Sequence, residues 1–260
     1  MVLDPMQYGL GVLSGSLVGF ALGMFGGGGS ILAVPLMVYL VGVPNPHVAI
    51  GTSAFAVAIN AATGLFDHAR HGMVKWRCAG LYSSAGVLGT LVGSTLGKAF
   101  NGQKLLLLFA VLMLVVGVLM FRSRGNLGNA GAECTREKAP KVLGFGALTG
   151  IFSGFFGIGG GFLIVPGLIA STGMPIINAV GSSLVAVCAF GLTTALSYAF
   201  SGLISWPLAI LFIGGGIAGG QLGCFLARRM SANKGVLNTL FASLIFVVAF
   251  YMIYRGVGQL

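Results

Sequence analysis

Long apolar runs separated by short polar segments set out this chain. Residues 6–25, 30–41, 49–66, 78–96 and 105–121 are each predominantly apolar, and polar turns divide them at 42–47, 67–77 and 101–104. At about 20 residues per full span, 49–66, 78–96 and 105–121 read as helices that cross a bilayer. The run 30–41 is different: its twelve residues, at about 1.5 Å each, cover roughly 18 Å of a hydrocarbon core about 30 Å thick. Only the glycine cluster Gly26 to Gly29 separates it from the run before it. Clustered glycine with Pro35 a few residues on predicts that one helix stops there and another starts. The pair 6–25 and 30–41 therefore reads as a broken hairpin whose two ends lie on one side.

The whole pattern then occurs again. Gly15, Gly19, Gly23, Pro35 and Pro44 recur as Gly146, Gly150, Gly154, Pro166 and Pro175, all 131 positions on. After one deletion the offset is 130, and it matches Gly51, Gly72, Trp76, Gly86, Gly89 and Gly93 with Gly181, Gly202, Trp206, Gly216, Gly219 and Gly223. The fold class is an all-α polytopic membrane protein of two repeats, 1–121 and 142–260, joined by a hydrophilic linker over 122–141. Each repeat is a Gly-broken helical hairpin plus three transmembrane helices, giving 8–10 helical arms in all. A hairpin returns to its starting side and three spans are an odd number, so the repeats are expected to be inverted.

Composition agrees with a lipid environment: 57% of residues are hydrophobic and 7% charged. The net charge of +10 would suggest nucleic acid in a soluble protein. Here the cations cluster between apolar runs, which points to topogenic charge and anionic lipid and not to nucleic acid. Under the inverted arrangement the 67–77 loop, the linker and the 228–234 turn share one side and hold 11 of the 14 basic residues. That side is expected to be cytoplasmic, which places both termini outside. Residues 6–25 lack the basic start of a cleavable signal and read as a retained helix. Cys78, Cys134, Cys188 and Cys224 have no ligand spacing and read as packing residues, with no metal site and no disulfide framework.

Candidate chemistry is sparse. Of four acidic residues, Asp4, Asp67, Glu133 and Glu137, only Asp67 lies at a span end, and no Lys or Arg sits mid-span. A cation site would lack acceptor carboxylates, and a charged substrate would have to be met by dipoles. The glycine breaks suit an anion: amides without side chains can cradle oxygen atoms, and a restarting helix presents its positive end. The candidate substrate positions are Gly26, Gly27, Gly28, Gly29 and Ser30 in the first break and Gly157, Gly159, Gly160 and Gly161 in the second. Thr52, Ser53, Ser182 and Ser183 can add hydroxyl donors, although such groups more often bond back to their own helix. Asn60 reads equally as an interhelical bond or a substrate contact. Asp67, His68 and His71 read most simply as a wet loop, and more sharply as a gate or proton site. The Gly15 and Gly86 stripes are close-packing faces, which would also suit a homodimer. No catalytic pair, cofactor motif or metal set is evident, so an intramembrane enzyme is disfavoured against a carrier or an anion channel.

The double glycine break followed by Val34-Pro35 and Val165-Pro166, with Gly51-Thr52-Ser53, Gly181-Ser182-Ser183 and the Gly72/Trp76 and Gly202/Trp206 pairs, resembles the TauE/SafE sulfite exporter family of permeases. The resemblance implies transport of sulfite, sulfoacetate or other sulfonates across a bacterial cytoplasmic membrane. It also implies that the glycine breaks and the Thr52-Ser53 and Ser182-Ser183 pairs contact the substrate. The breaks differ, with Gly27 and Ser30 where the second has Ile158 and Gly161, so the two half-sites are not equivalent.

Overall fold

The computed structural model describes residues 5–122, 134, 137–157, 161–230 and 234–257, and every element among them is helical. The first repeat holds α1 (Pro5–Phe25), a 3-10 helix (Gly26–Leu32), one α turn α2 (Ala33–Pro35), a π turn (Leu36–Leu40), α3 (Pro46–Arg70), α4 (Trp76–Ala99) and α5 (Gly102–Arg122). The second holds α6 (Ala139–Phe156), α7 (Gly161–Thr172), α8 (Ile176–Ala199), α9 (Trp206–Met230) and α10 (Lys234–Val257). Five helical segments among the described residues are long and apolar enough to cross a membrane: Pro5–Leu40, Pro46–Arg70, Ala139–Phe156, Ile176–Ala199 and Trp206–Leu226. The segments Gly102–Val118, Gly161–Thr172 and Ile245–Arg255 are apolar but shorter. Large side chains such as Leu88, Leu108, Ile210, Phe225 and Phe250 stand exposed on the outer helices. Such a belt is what contact with lipid tails requires.

Each hairpin closes on itself. Gln7 Nε2, in the first turns of α1, donates to the Val41 carbonyl at the end of the return arm, at 3.3 Å. Lys138 Nζ, just before α6, donates to the Thr172 carbonyl at the end of α7, at 3.1 Å. The two bonds join residues that the 131 offset relates, and a cation or amide on the last carbonyls of a helix is a favourable cap. A helix and its return arm thus begin and end on one side.

The halves interlock through their glycine stripes. Gly15, Gly19 and Gly23 of α1 press in order on Phe212, Gly216 and Gly220 of α9, so these helices run parallel. Gly146, Gly150 and Gly154 of α6 press likewise on Tyr82, Gly86 and Thr90 of α4. A Cβ at any of these six glycines would overlap the facing backbone. The first helix of each half is therefore seated on the other half, and the two stripes are consumed within the chain. Between these pairs lie α3 and α8: Gly51 faces Leu203, Cys188 Sγ lies 3.5 Å from the Ala58 carbonyl, and Gly181 faces Met73. Rising numbers on α3 meet falling numbers on α8, so the central pair is antiparallel.

Two sequence expectations are corrected here. Cys78 and Cys134 are disulfide-bonded, with Cα atoms 5.5 Å apart, so the linker residue 134 is tied to the first turn of α4. The loop expected over 67–77 is shorter, because α3 runs on to Arg70 and is stopped only by His71 and by Gly72 at φ +66°. Asp67 and His68 are helical residues, and His68 is 4% exposed, so a wet loop does not describe it.

Candidate functional site

The two glycine breaks lie in the interior and touch one another. Gly26 and Gly157 take φ +63° and +66° and end α1 and α6. Only a residue without Cβ adopts that left-handed turn freely. Ile50 of α3 packs on Gly157 and Val180 of α8 packs on Gly26, which is one contact made twice at the repeat offset. Beyond the turns, Gly27 and Gly161 stand back to back: a Cβ on Gly161 would occupy the position of the Gly27 carbonyl. Every residue from Gly26 to Leu32 is buried. Gly159 and Gly160 lie outside the described residues.

The first break is more tightly wound than the sequence suggests. Residues 26–32 form a 3-10 helix, whose i to i+3 bonds use the amides of Gly28, Gly29 and Ser30 and leave over those of the first turn. One of these, Gly27 N–H, donates to Ser183 Oγ at 3.1 Å, and Ser183 in turn donates to the Val180 carbonyl at 2.7 Å. Ser30 Oγ donates to the Gly27 carbonyl at 2.9 Å. The candidate anion donors on this side are thus narrowed from a row of four glycines to the Gly26–Gly27 turn, where the Gly27 amide is already bonded to Ser183 Oγ.

The hydroxyl pairs separate into two roles. Ser53 and Ser183 bond back to the Ile50 and Val180 carbonyls of their own helices. Thr52 and Ser182 reach across the halves instead: Ser205 N–H donates to Thr52 Oγ1 and Lys75 N–H donates to Ser182 Oγ, both at 2.9 Å. These bonds are equivalent under the offset of 130. They cap the starts of α9 and α4, and because α3 and α8 are antiparallel they lie at opposite ends of the central pair. Both amides are partly buried, and leaving such a group without its acceptor costs about 1 kcal/mol, the lower end for a buried group. Thr52→Val and Ser182→Ala are therefore each expected to lower unfolding stability by about that amount, and by similar amounts, in chemical denaturation of the detergent-solubilised protein.

Asn60 carries the one side-chain amide among the buried polar groups that lack partners, the others being hydroxyls and a His47 ring nitrogen. It is 4% exposed, and neither Oδ1 nor Nδ2 has a hydrogen-bond partner among the described residues. Its amide lies directly on Gly216, a residue of the α1/α9 seam. The equivalent position in the second half is Phe190, which lies on Gly86 in the same way. Asn60 falls within α3 residues 58–64, which face Leu184 and Cys188 of α8, and the neighbouring α8 residues Ser183 and Val187 are those that touch Gly27. The unpaired amide therefore lies level with the meeting point of the breaks.

The other candidates are farther along α3. His71 Nδ1 lies 2.7 Å from the Asp67 carbonyl and 4.0 Å from its carboxylate. Asp67 and His68 gather beside Cys224 of α9, whose backbone faces Gly23 of α1, three residues before the first break. Sequence reasoning placed Cys224 among packing residues and missed this grouping. The available signal was the offset, which sets Asp67, His68 and Cys224 against Ser197, Tyr198 and Ser94.

The family model for Sulfite exporter TauE/SafE matches residues 11–252. A "Probable membrane transporter protein" of Xylella fastidiosa (strain Temecula1) is 54% identical over 248 residues, 95% of each chain. "Probable membrane transporter protein YunE" of Bacillus subtilis is 24% identical over 97% of this chain and 99% of its own. No solved structure gives a significant match.

Proposed function

The chain belongs to the sulfite exporter TauE/SafE family, a family of membrane transporters and not of enzymes, and from that premise we propose that it carries a small sulfur-containing or organic anion, such as sulfite, sulfoacetate or another sulfonate, by alternating access. The observation that carries the reading is the meeting of Gly27 and Gly161 in the interior, away from lipid. Two return arms there begin at one point, each contributing a positive helix end of up to about half an elementary charge. Asn60 Nδ2 supplies a donor without a competing partner at the same level. With no fixed cation mid-span, the site attracts an anion through dipoles and releases it readily.

The antiparallel α3/α8 pair and the bonds repeated at the offset support an inverted relation of the halves. The Thr52–Ser205 and Ser182–Lys75 bonds then act as equivalent seals at opposite ends of the path. Both are made at once, the condition expected of a carrier between its two open forms and not of an open channel. On charge the basic side, with the linker, faces the cytoplasm of a bacterial inner membrane, where the Cys78–Cys134 pair of that side would be kept as thiols, and the lipid bilayer is the protein's constant partner.

Counterflow tests the reading. Proteoliposomes loaded with unlabelled sulfite are expected to accumulate labelled sulfite transiently above equilibrium, which a channel does not do. Failure of sulfite, sulfoacetate and other short sulfonates to exchange would overturn it.

A further inference from the structure

We propose that Asp67, His68 and Cys224 form a site for one thiophilic divalent cation of the zinc class, joining α3 of the first half to α9 of the second. A carboxylate oxygen, an imidazole nitrogen and the thiol sulfur lie within 4.8 Å of one another. An ion bonded at about 2.0–2.3 Å to each ligand sets neighbouring ligand atoms on the order of 3.6 Å apart in tetrahedral geometry. Rotation about the side-chain bonds of Asp67 and Cys224 closes that difference.

His68 is oriented for the role. Its Nδ1 lies 3.0 Å from the Gly64 carbonyl. A carbonyl can only accept, so Nδ1 carries a proton, and in the neutral ring that a metal requires the lone pair is on Nε2. Metal-bound imidazoles characteristically hold a second bond of this kind, which fixes the ring. His68 and Cys224 are buried, and the Asp67 side chain is 34% exposed, which gives an ion a way in. A thiolate and a carboxylate together balance the ion's two charges, leaving a neutral cluster among apolar helices.

The fold itself creates this meeting point. At the equivalent place in the other half, Ser94 of α4 and Ser197 of α8 have hydroxyls 3.1 Å apart, beside buried Tyr198. The same three positions thus converge at both ends of the central pair. Hydroxyl residues occupy one end; a carboxylate, an imidazole and a thiol, three types that favour metals, occupy the other. An ion there would fasten α3 to α9 at that end alone, whatever the transported substrate.

Cobalt(II) is the probe, because sulfur ligation gives it an intense near-ultraviolet charge-transfer band. The purified full-length protein, titrated with Co2+ in detergent, is expected to bind one equivalent with that band and to lose the ion to Zn2+. Cys224→Ser should abolish the band and Cys188→Ser should keep it. Asp67→Asn and His68→Gln, which retain the thiol, should each weaken binding at least about ten-fold. Gel filtration identifies variants that fold. Absence of the band in the folded wild type, its survival in Cys224→Ser, or unchanged affinity in His68→Gln would overturn the proposal.

Discussion

Gly161→Ala is expected to abolish measurable substrate flux, and to do so by driving the two glycine breaks apart. One methyl group at this position falls on the Gly27 carbonyl, a backbone atom that cannot rotate away. The response must be a shift of the whole α7 arm or of the 3-10 helix. Overpacking of this kind costs roughly 1–3 kcal/mol, and the displacement moves both positive helix ends away from their common focus. Gly27→Ala should be milder. Its Cβ would meet Val187 Cγ2 at 2.7 Å and the Gly161 Cα at 2.9 Å, and the valine can turn. Gly144→Ala, with nothing within 4 Å, should be silent. Flux into proteoliposomes, normalised to folded protein by gel filtration, gives the ranking. Full transport by folded Gly161→Ala would remove the breaks from the site.

What the sequence revealed depended on the range of the interaction. The turns at Gly26 and Gly157 were legible because a positive φ is a local demand that glycine meets. The hairpins were legible because arm length alone forbids a crossing. The winding after Gly26 was not legible: glycine sets no preference between an open loop and a 3-10 helix, and burial among Val180, Val187 and α7 decided it. The end of α3 was placed too early because apolar character stops at Phe66, while the backbone continues until Gly72 supplies a left-handed exit. For Thr52 and Ser182 the sequence offers a substrate contact or a bond within the helix, and the latter is what Ser53 and Ser183 make. Their real partners are 153 and 107 positions away and become visible only once the halves interlock. The pairing of Cys78 with Cys134, 56 residues apart, is hidden for the same reason.

Asn60→Leu is expected to stabilise the protein and silence it in the same stroke. Asn60 holds two buried polar atoms without partners, and each such group costs about 1–3 kcal/mol relative to a paired or apolar replacement. Leucine keeps the branched outline of asparagine at a larger volume, and the second half already accommodates the still larger, apolar Phe190 against the equivalent glycine. The resting fold therefore gains from the change, and the melting temperature in detergent should rise. If the amide is retained in order to bind an anion, the same variant loses a charge-assisted hydrogen bond at the centre of the path. A bond of this class contributes about 1.5–3 kcal/mol, which corresponds to a loss of roughly 10- to 100-fold in affinity for substrate. Asn60→Asp provides the opposing case: it keeps the shape but sets a carboxylate against the anion, so binding should fall further while stability also falls. A stabilised Asn60→Leu protein that still transports at the wild-type rate would show that the unpaired amide serves neither the fold nor the substrate. A destabilised one would show that Asn60 has a partner in the membrane-embedded protein and belongs to the packing of α3 on α9.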